Sequence, residues 1–186
     1  ERNAVLEVKM GEVKIQLNTD ELKELNNRGT DLYFKVVPIK DATEQSKLGT
    51  NTKANGAVME IAKSLGNGVA VPQGVPYTVE TNYSGFNTKL LVPFTGMTIP
   101  TENRAAFLAS LRVYIEHTDG TKEAKGGTIV YKDGIPVGIE ITIDRFSSFQ
   151  IFSVEQPKAN TASPKTGSII DFTTILALGA LLMLTG

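Results

Sequence analysis

The sequence predicts a mainly β protein: one or two antiparallel sandwich-like modules with a short helix, then a flexible linker and a hydrophobic, transmembrane-type helix. Three observations predict it. Val137, Ile139, Ile141 and Ile143 alternate with Gly138, Glu140, Thr142 and Asp144, and a period of two commits one face of that strand to a core. Turn signals such as Asp119-Gly120 and Asp133-Gly134 punctuate the second half at roughly ten-residue spacing, as in all-β folds. Beyond this patterned body, Pro157 to Ser163 (PKANTAS) leads towards an apolar run from Ile169 to Leu184 that is broken by one charge, Asp171.

Taken in order, Val5 to Leu17 has strand patterning with Gly11 as a turn or bulge. Asn18 or Thr19 is placed to cap a short helix that carries Leu22 and Leu25 on one face and stops at Gly29. Asp31 to Ile39 returns to strand. Ala57 to Ala62 reads as another strand, and Val69 to Val79 as shorter extended pieces interrupted by Pro72 and Pro76. Leu90 to Phe94 is a strand whose Pro93 suits a sheet edge. Leu111 to Glu116 leads into a hairpin turn at Thr118-Asp119-Gly120, and Thr128 to Tyr131, Lys132-Asp133-Gly134 and Val137 to Ile143 form the next hairpin. Phe149 to Val154 closes the body. The chain divides on this reading into a β-rich module with the helix (1–86), a second β-module (87–156), a linker (157–168) and a hydrophobic segment (169–186).

Composition narrows the chemistry. The chain has no cysteine, which excludes disulfides, zinc–thiolate sites and a cysteine nucleophile. Lys and Arg number 19 against 20 Asp and Glu, for a net charge of −1, so no bulk field recruits nucleic acid. No metal or cofactor motif is read. A calcium loop would alternate Asp or Asn with a distal Glu, and no such pattern occurs. The single histidine, His117, sits beside a turn and is expected to be exposed there. Catalysis of the serine-histidine kind would need it held by a carboxylate and facing a serine. Glu102, Glu116, Asp119 and Glu123 are numerous enough for a carboxylate pair, but turn and edge positions do not fix the separation that glycoside hydrolysis requires. Asn82-Tyr83-Ser84 is a formal glycosylation sequon without weight in a bacterium. The body is therefore expected to have no catalytic activity of its own.

Ser163-Pro164-Lys165-Thr166-Gly167 stands directly before the apolar run. Pro164 fixes its own φ and biases Ser163 towards extended geometry, while Gly167, lacking a Cβ, allows close approach to the carbonyl of Thr166. An ordinary linker turn has the same residue types. From Phe172 the apolar run is shorter than the ~20 residues of a perpendicular membrane helix, and counting from Ile169 brings it near the lower limit of about 17. A buried core helix is the alternative, although the segment has no polar stripe.

The pentapeptide with its tail resembles the cell-wall sorting signal of Gram-positive surface proteins, in a Ser-Pro-x-Thr-Gly variant of Leu-Pro-x-Thr-Gly. The resemblance implies that a sortase cysteine attacks the Thr166 carbonyl, that the Thr166–Gly167 bond breaks, and that Thr166 passes to a peptidoglycan cross-bridge amine. The implied partners are sortase, that amine and, transiently, the membrane; the implied location is the cell wall. A second resemblance covers the second half: Leu91-Val92-Pro93-Phe94, Val113-Tyr114-Ile115-Glu116, Asp119-Gly120, Gly127 and Ile141 to Phe149 (ITIDRFSSF) are similar to a β-module found ahead of S-layer-homology repeats or wall anchors.

Sorting signals work on exported proteins and end in basic residues, whereas this sequence opens Glu1-Arg2-Asn3 and stops at Gly186. The expectation is a fragment of a longer surface protein, with a signal peptide and head domains upstream that could meet a host or matrix ligand. Two functions fit: a structural stalk or adhesion protein, or the anchor region of a wall hydrolase or glycosidase whose catalytic domain lies upstream. A eukaryotic lipid anchor at Thr166-Gly167-Ser168 is discounted, since it needs a polar spacer of roughly ten residues before the tail.

Overall fold

The computed structural model describes residues 5–29, 31–82, 85 and 87–156. Along the chain these form β1 (Leu6–Met10), β2 (Val13–Leu17), α1 (Thr19–Arg28), β3 (Phe34–Pro38), α2 (Ala42–Ala54), α3 (Gly56–Ser64), β4 (Val69–Thr81), β5 (Thr88–Pro93), α4 (Arg104–Ser110), β6 (Arg112–Glu116), β7 (Lys122–Lys125), β8 (Thr128–Lys132), β9 (Ile135–Ile143) and β10 (Ser148–Glu155). The strands make two five-stranded sheets, ordered β1-β2-β5-β9-β8 and β3-β4-β10-β6-β7, with antiparallel pairing throughout. The chain is mainly β, as its alternation predicts.

The alternating faces explain the layers. Ile15, Leu90, Ile139 and Ile141 of the first sheet share one core with Val79, Val113, Ile115 and Phe149 of the second. The opposite face of the second sheet, carrying Tyr114, Phe152 and Val154, is covered by Leu48 of α2 and by Val58 and Ala62 of α3. β10 is therefore buried on both faces. Its sequence, SFQIFSVE, is a nearly continuous buried run instead of an alternating one, the pattern expected of a central strand between two layers.

Local chemistry sets the boundaries. The Asn18 side chain accepts from the backbone of Asp20 and Glu21, and the Glu21 carboxylate returns a bond to the Asn18 backbone, completing a capping box for α1; Gly29, at φ 58°, ends it in the left-handed region. Asp133 and Gly134 both have positive φ and join β8 to β9 in a two-residue hairpin, which suits the twist of the flanking strands.

Several expectations are corrected. Ala57 to Ala62 is not a strand but the middle of α3, because Val58, Ile61, Ala62 and Leu65 fall on one helical stripe that packs under the second sheet. Asn55 both ends α2 and caps α3. α2 itself has no counterpart in the sequence reading. Val69 to Thr81 is one long strand despite Pro72 and Pro76, since its ladder with β10 shifts register between Phe149 and Ile151 and so absorbs the irregularity. Pro93 does not mark an edge. β5 lies between β2 and β9, and Pro93 is tolerated because the β2 ladder reaches only Leu91. Nor does residue 86 divide two separate modules, for β2 pairs with β5 and β4 with β10.

Among the described residues no helix is long and apolar enough to cross a membrane. The linker and the apolar run from Ile169 to Leu184 lie outside them.

Candidate functional site

Ser163, Pro164, Lys165, Thr166 and Gly167 also lie outside the described residues. Within the body, polar side chains gather in a cleft of about 590 Å³ between α2 and the ends of β4, β6 and β10. Its apolar floor includes Leu48, Val79 and Phe146, all buried.

Each wall has a local cause. Asp41 accepts from the backbone of Thr43 and Glu44 at 2.9 Å each and so starts α2, whose buried Leu48 and Thr52 fix the helix against the sheet. This orientation brings Asn51 Nδ2 within 3.0 Å of Glu116 Oε2, which also accepts from the Tyr114 hydroxyl at 3.0 Å. Burial, and then the bond to Glu116, pushes the ionisation of Tyr114 above the usual tyrosine range, so the phenol stays a donor. On the other side, the Tyr33 backbone N–H donates to Asn82 Oδ1 at 3.1 Å and Thr81 donates to the Tyr33 carbonyl at 2.6 Å, holding Tyr33 at the rim with its ring half-exposed. The Thr78 and Ser148 hydroxyls, 3.1 Å apart, form part of the back wall.

His117 is the largest departure from the sequence reading. It is buried, not exposed, at 4% accessibility. Nδ1 lies 3.1 Å from Ser147 Oγ and Nε2 lies 3.1 Å from Glu123 Oε1, so the histidine does face a serine and is held by a carboxylate. The geometry differs from that of a nucleophile and its base. Ser147 is 2% exposed and its hydroxyl donates to the carbonyl of Phe146, so its proton is directed at the backbone and not at His117, although both residues border the cleft. The three side chains act as a clasp. They join the β6–β7 hairpin to the 144–147 segment that crosses from the first sheet to the second, where the Ser147 carbonyl also accepts from Val79 N–H at 2.8 Å.

His117→Ala is accordingly expected to lower stability by about 1–2 kcal/mol, from a small cavity and the loss of two hydrogen bonds, one to the buried Ser147 hydroxyl and one to the half-buried Glu123, which keeps Lys125. Denaturant midpoints of the full chain check this. An unchanged midpoint would restore the exposed-histidine reading.

A second, exposed link runs beside the clasp. Asp119 accepts from the Thr121 hydroxyl at 2.6 Å and the Thr121 backbone at 2.8 Å through Oδ1, and pairs with Arg145 at 2.7 Å through Oδ2. The Thr121 hydroxyl, then the Thr121 backbone, with a smaller contribution from Arg145, hold the Asp119 carboxyl below the usual range. A carboxylate depressed by folding contributes stability that is present above the ordinary Asp range and is lost as pH falls through the lower folded value. Side-chain NMR titration should place the Asp119 midpoint below that of an unstructured Asp. Thr121→Ala should raise it further than Arg145→Ala does; the reverse order would assign the shift to the ion pair.

The other carboxylates considered from sequence have separate partners. Glu116 serves Asn51 and Tyr114, Glu123 serves His117 and Lys125 at 3.2 Å, and Glu102 is exposed beside α4. Asn82 of the sequon donates to the Asp31 carbonyl at 2.5 Å. Among the described residues no group of three or more His, Asp or Glu side chains comes together to hold a metal ion. The sequence reading missed Tyr33, Lys47 and Asn51. The available signal was Asp41 followed three residues later by Glu44, an N-cap pattern that announces α2.

No protein-family model, curated protein or solved structure matches this chain.

Proposed function

We propose that this chain is a wall-anchored surface protein of a Gram-positive bacterium, a stalk or adhesion-type module that serves as a sortase substrate. The observation that carries the reading is Ser163-Pro164-Lys165-Thr166-Gly167 placed between the PKANTAS connector and the apolar run from Ile169 to Leu184. Pro164 makes the pentapeptide a poor continuation of helix and a good extended ligand for a groove, and the short connector separates it from β10, which ends at Glu155. The catalytic cysteine belongs to the sortase. Its thiolate attacks the Thr166 carbonyl, the tail leaves with the amine of Gly167, and a cross-bridge amine then displaces the thiolate to form a new amide at Thr166. A body without cysteine suits an exported module, because its folding depends on no disulfide exchange.

The test is expression in a sortase-positive host, muramidase digestion of the wall and mass spectrometry of the released chain. The expected product ends at Thr166 and carries the mass of the cross-bridge amine. Recovery of a chain that retains Gly167 and stays with the membrane would remove the proposal.

A further inference from the structure

The cleft beside α2 has an unusual charge balance. Glu80 is engaged by Lys35 at 3.0 Å and Glu116 by Asn51 and Tyr114, so two of its three carboxylates are already occupied. The side chains of Tyr33, Glu44 and Lys47 bond to no other described residue, although all three line the cleft. One anion and one cation remain, and their charges cancel. An anionic ligand would find a single ammonium and a cationic one a single open carboxylate, whereas a neutral ligand with many hydroxyls would find donors and acceptors of both kinds.

The shape fits such a ligand as well. The volume is within the range of about 300–1,000 Å³ usual for small-molecule sites. Tyr33 is 53% exposed at the rim, and its ring has an apolar face with a polar tip, suited to the C–H face of a sugar ring beside its hydroxyls. Asn51 is pre-oriented, since its amide is fixed by Glu116 and its carbonyl oxygen is left to accept. The ordering cost of Asn51 on binding is correspondingly small.

We infer that this cleft binds a neutral oligosaccharide, with Tyr33 as the stacking platform and Asn51, Glu44 and Lys47 as hydroxyl partners. This goes beyond anchoring: it gives the body a ligand of its own, whatever holds the chain at the cell surface.

The test uses the full chain in a polyoxyethylene-ether detergent, which has no sugar headgroup to compete. Cellotetraose, maltotetraose and the N-acetylglucosamine tetramer are titrated by calorimetry and saturation-transfer NMR, with tetralysine and tripolyphosphate as the charged comparisons. At least one neutral tetrasaccharide is expected to bind saturably. Tyr33→Ala should then weaken it at least about tenfold, a loss of ~1.4 kcal/mol, and Lys132→Ala on the distant β8–β9 hairpin should leave it unchanged. Asn51→Ala should also weaken it; if that variant loses stability through Glu116, the exposed Tyr33 still decides. The inference is overturned by no saturation in the ~10 mM range, by binding that Tyr33→Ala leaves intact, or by preference for tetralysine or tripolyphosphate. Because no wall or sortase takes part, failure here leaves the anchoring proposal standing, and failure of anchoring leaves this result readable.

Discussion

Replacing Thr166 by alanine is expected to lower the wall-linked fraction of the chain at least about tenfold, and deleting Ser163 to Gly167 to abolish it. The carbonyl that a sortase would attack survives the substitution, so the loss is one of recognition. A groove shaped for a β-branched hydroxyl side chain gains less transition-state binding from a methyl group, and a hydroxyl partner in the groove is left unpaired. Deletion removes the scissile bond as well. The readout is the fraction of chain that remains with muramidase-treated wall after detergent extraction, compared between parent and variants in one sortase-positive host. Ser168→Ala, just beyond the bond, is the control and should behave like the parent. Equal wall-linked signal from parent and deletion would end the sorting-signal assignment and with it the stalk reading.

What the sequence revealed and what it concealed follow from the range of the interactions involved. α1 was legible because its cap, its first-turn acids and its terminal glycine all lie within a dozen positions of one another and each has a local physical role. β9 was legible from Ile139 to Ile143, where one face looks into the core and the other outwards. The expected inward place of Val137 is not kept, since the β8 pairing shifts register between Val130 and Tyr131 and leaves Val137 half-buried between buried Pro136 and Gly138. α3 was not. Ala57 to Ala62 is a short apolar run with no decisive period, and what makes it helical is an outer sheet face, Tyr114, Phe152 and Val154, that needs covering. The same cause blurs β10, whose two-sided burial depends on that helical layer. His117 was misplaced because its partner Ser147 is 30 positions away, on a crossover whose landing point no local pattern announces. Tyr33 and Asn51 are brought to one cleft by contacts of the same long-range kind, Asn51 to Glu116 across 65 positions and Tyr33 to Asn82 across 49.

Ile141→Asp is expected to unfold the body or to bring its melting transition down by many degrees. Ile141 is 2% exposed, stands opposite Leu90 on β5, and contributes to the core that both sheets share. An aspartate there loses the apolar burial of isoleucine, worth roughly 1.5–3 kcal/mol, and adds an ionisable group with no partner in the core. Together these put the cost at about 4–5 kcal/mol or more, against the 5–15 kcal/mol that holds a domain of ordinary stability together. Thr142→Asp supplies the contrast. Thr142 is exposed on the opposite face of the same strand, beside Lys89, so an added carboxylate meets water and a cation and should change stability by no more than ~0.5 kcal/mol. The interleaved sheets sharpen the expectation further. β9 bridges β5 and β8, while β5 also pairs with β2, so damage at Ile141 should melt the hairpin of β1 and β2 together with the second half of the chain in a single transition. Thermal unfolding followed by circular dichroism, with hydrogen exchange at Ile15 as a reporter on β2, separates the outcomes. Retention of exchange protection at Ile15 while residues 135–143 unfold would show that the two halves are independent after all, and equal melting of the two aspartate variants would show that β9 does not present alternate faces to core and solvent.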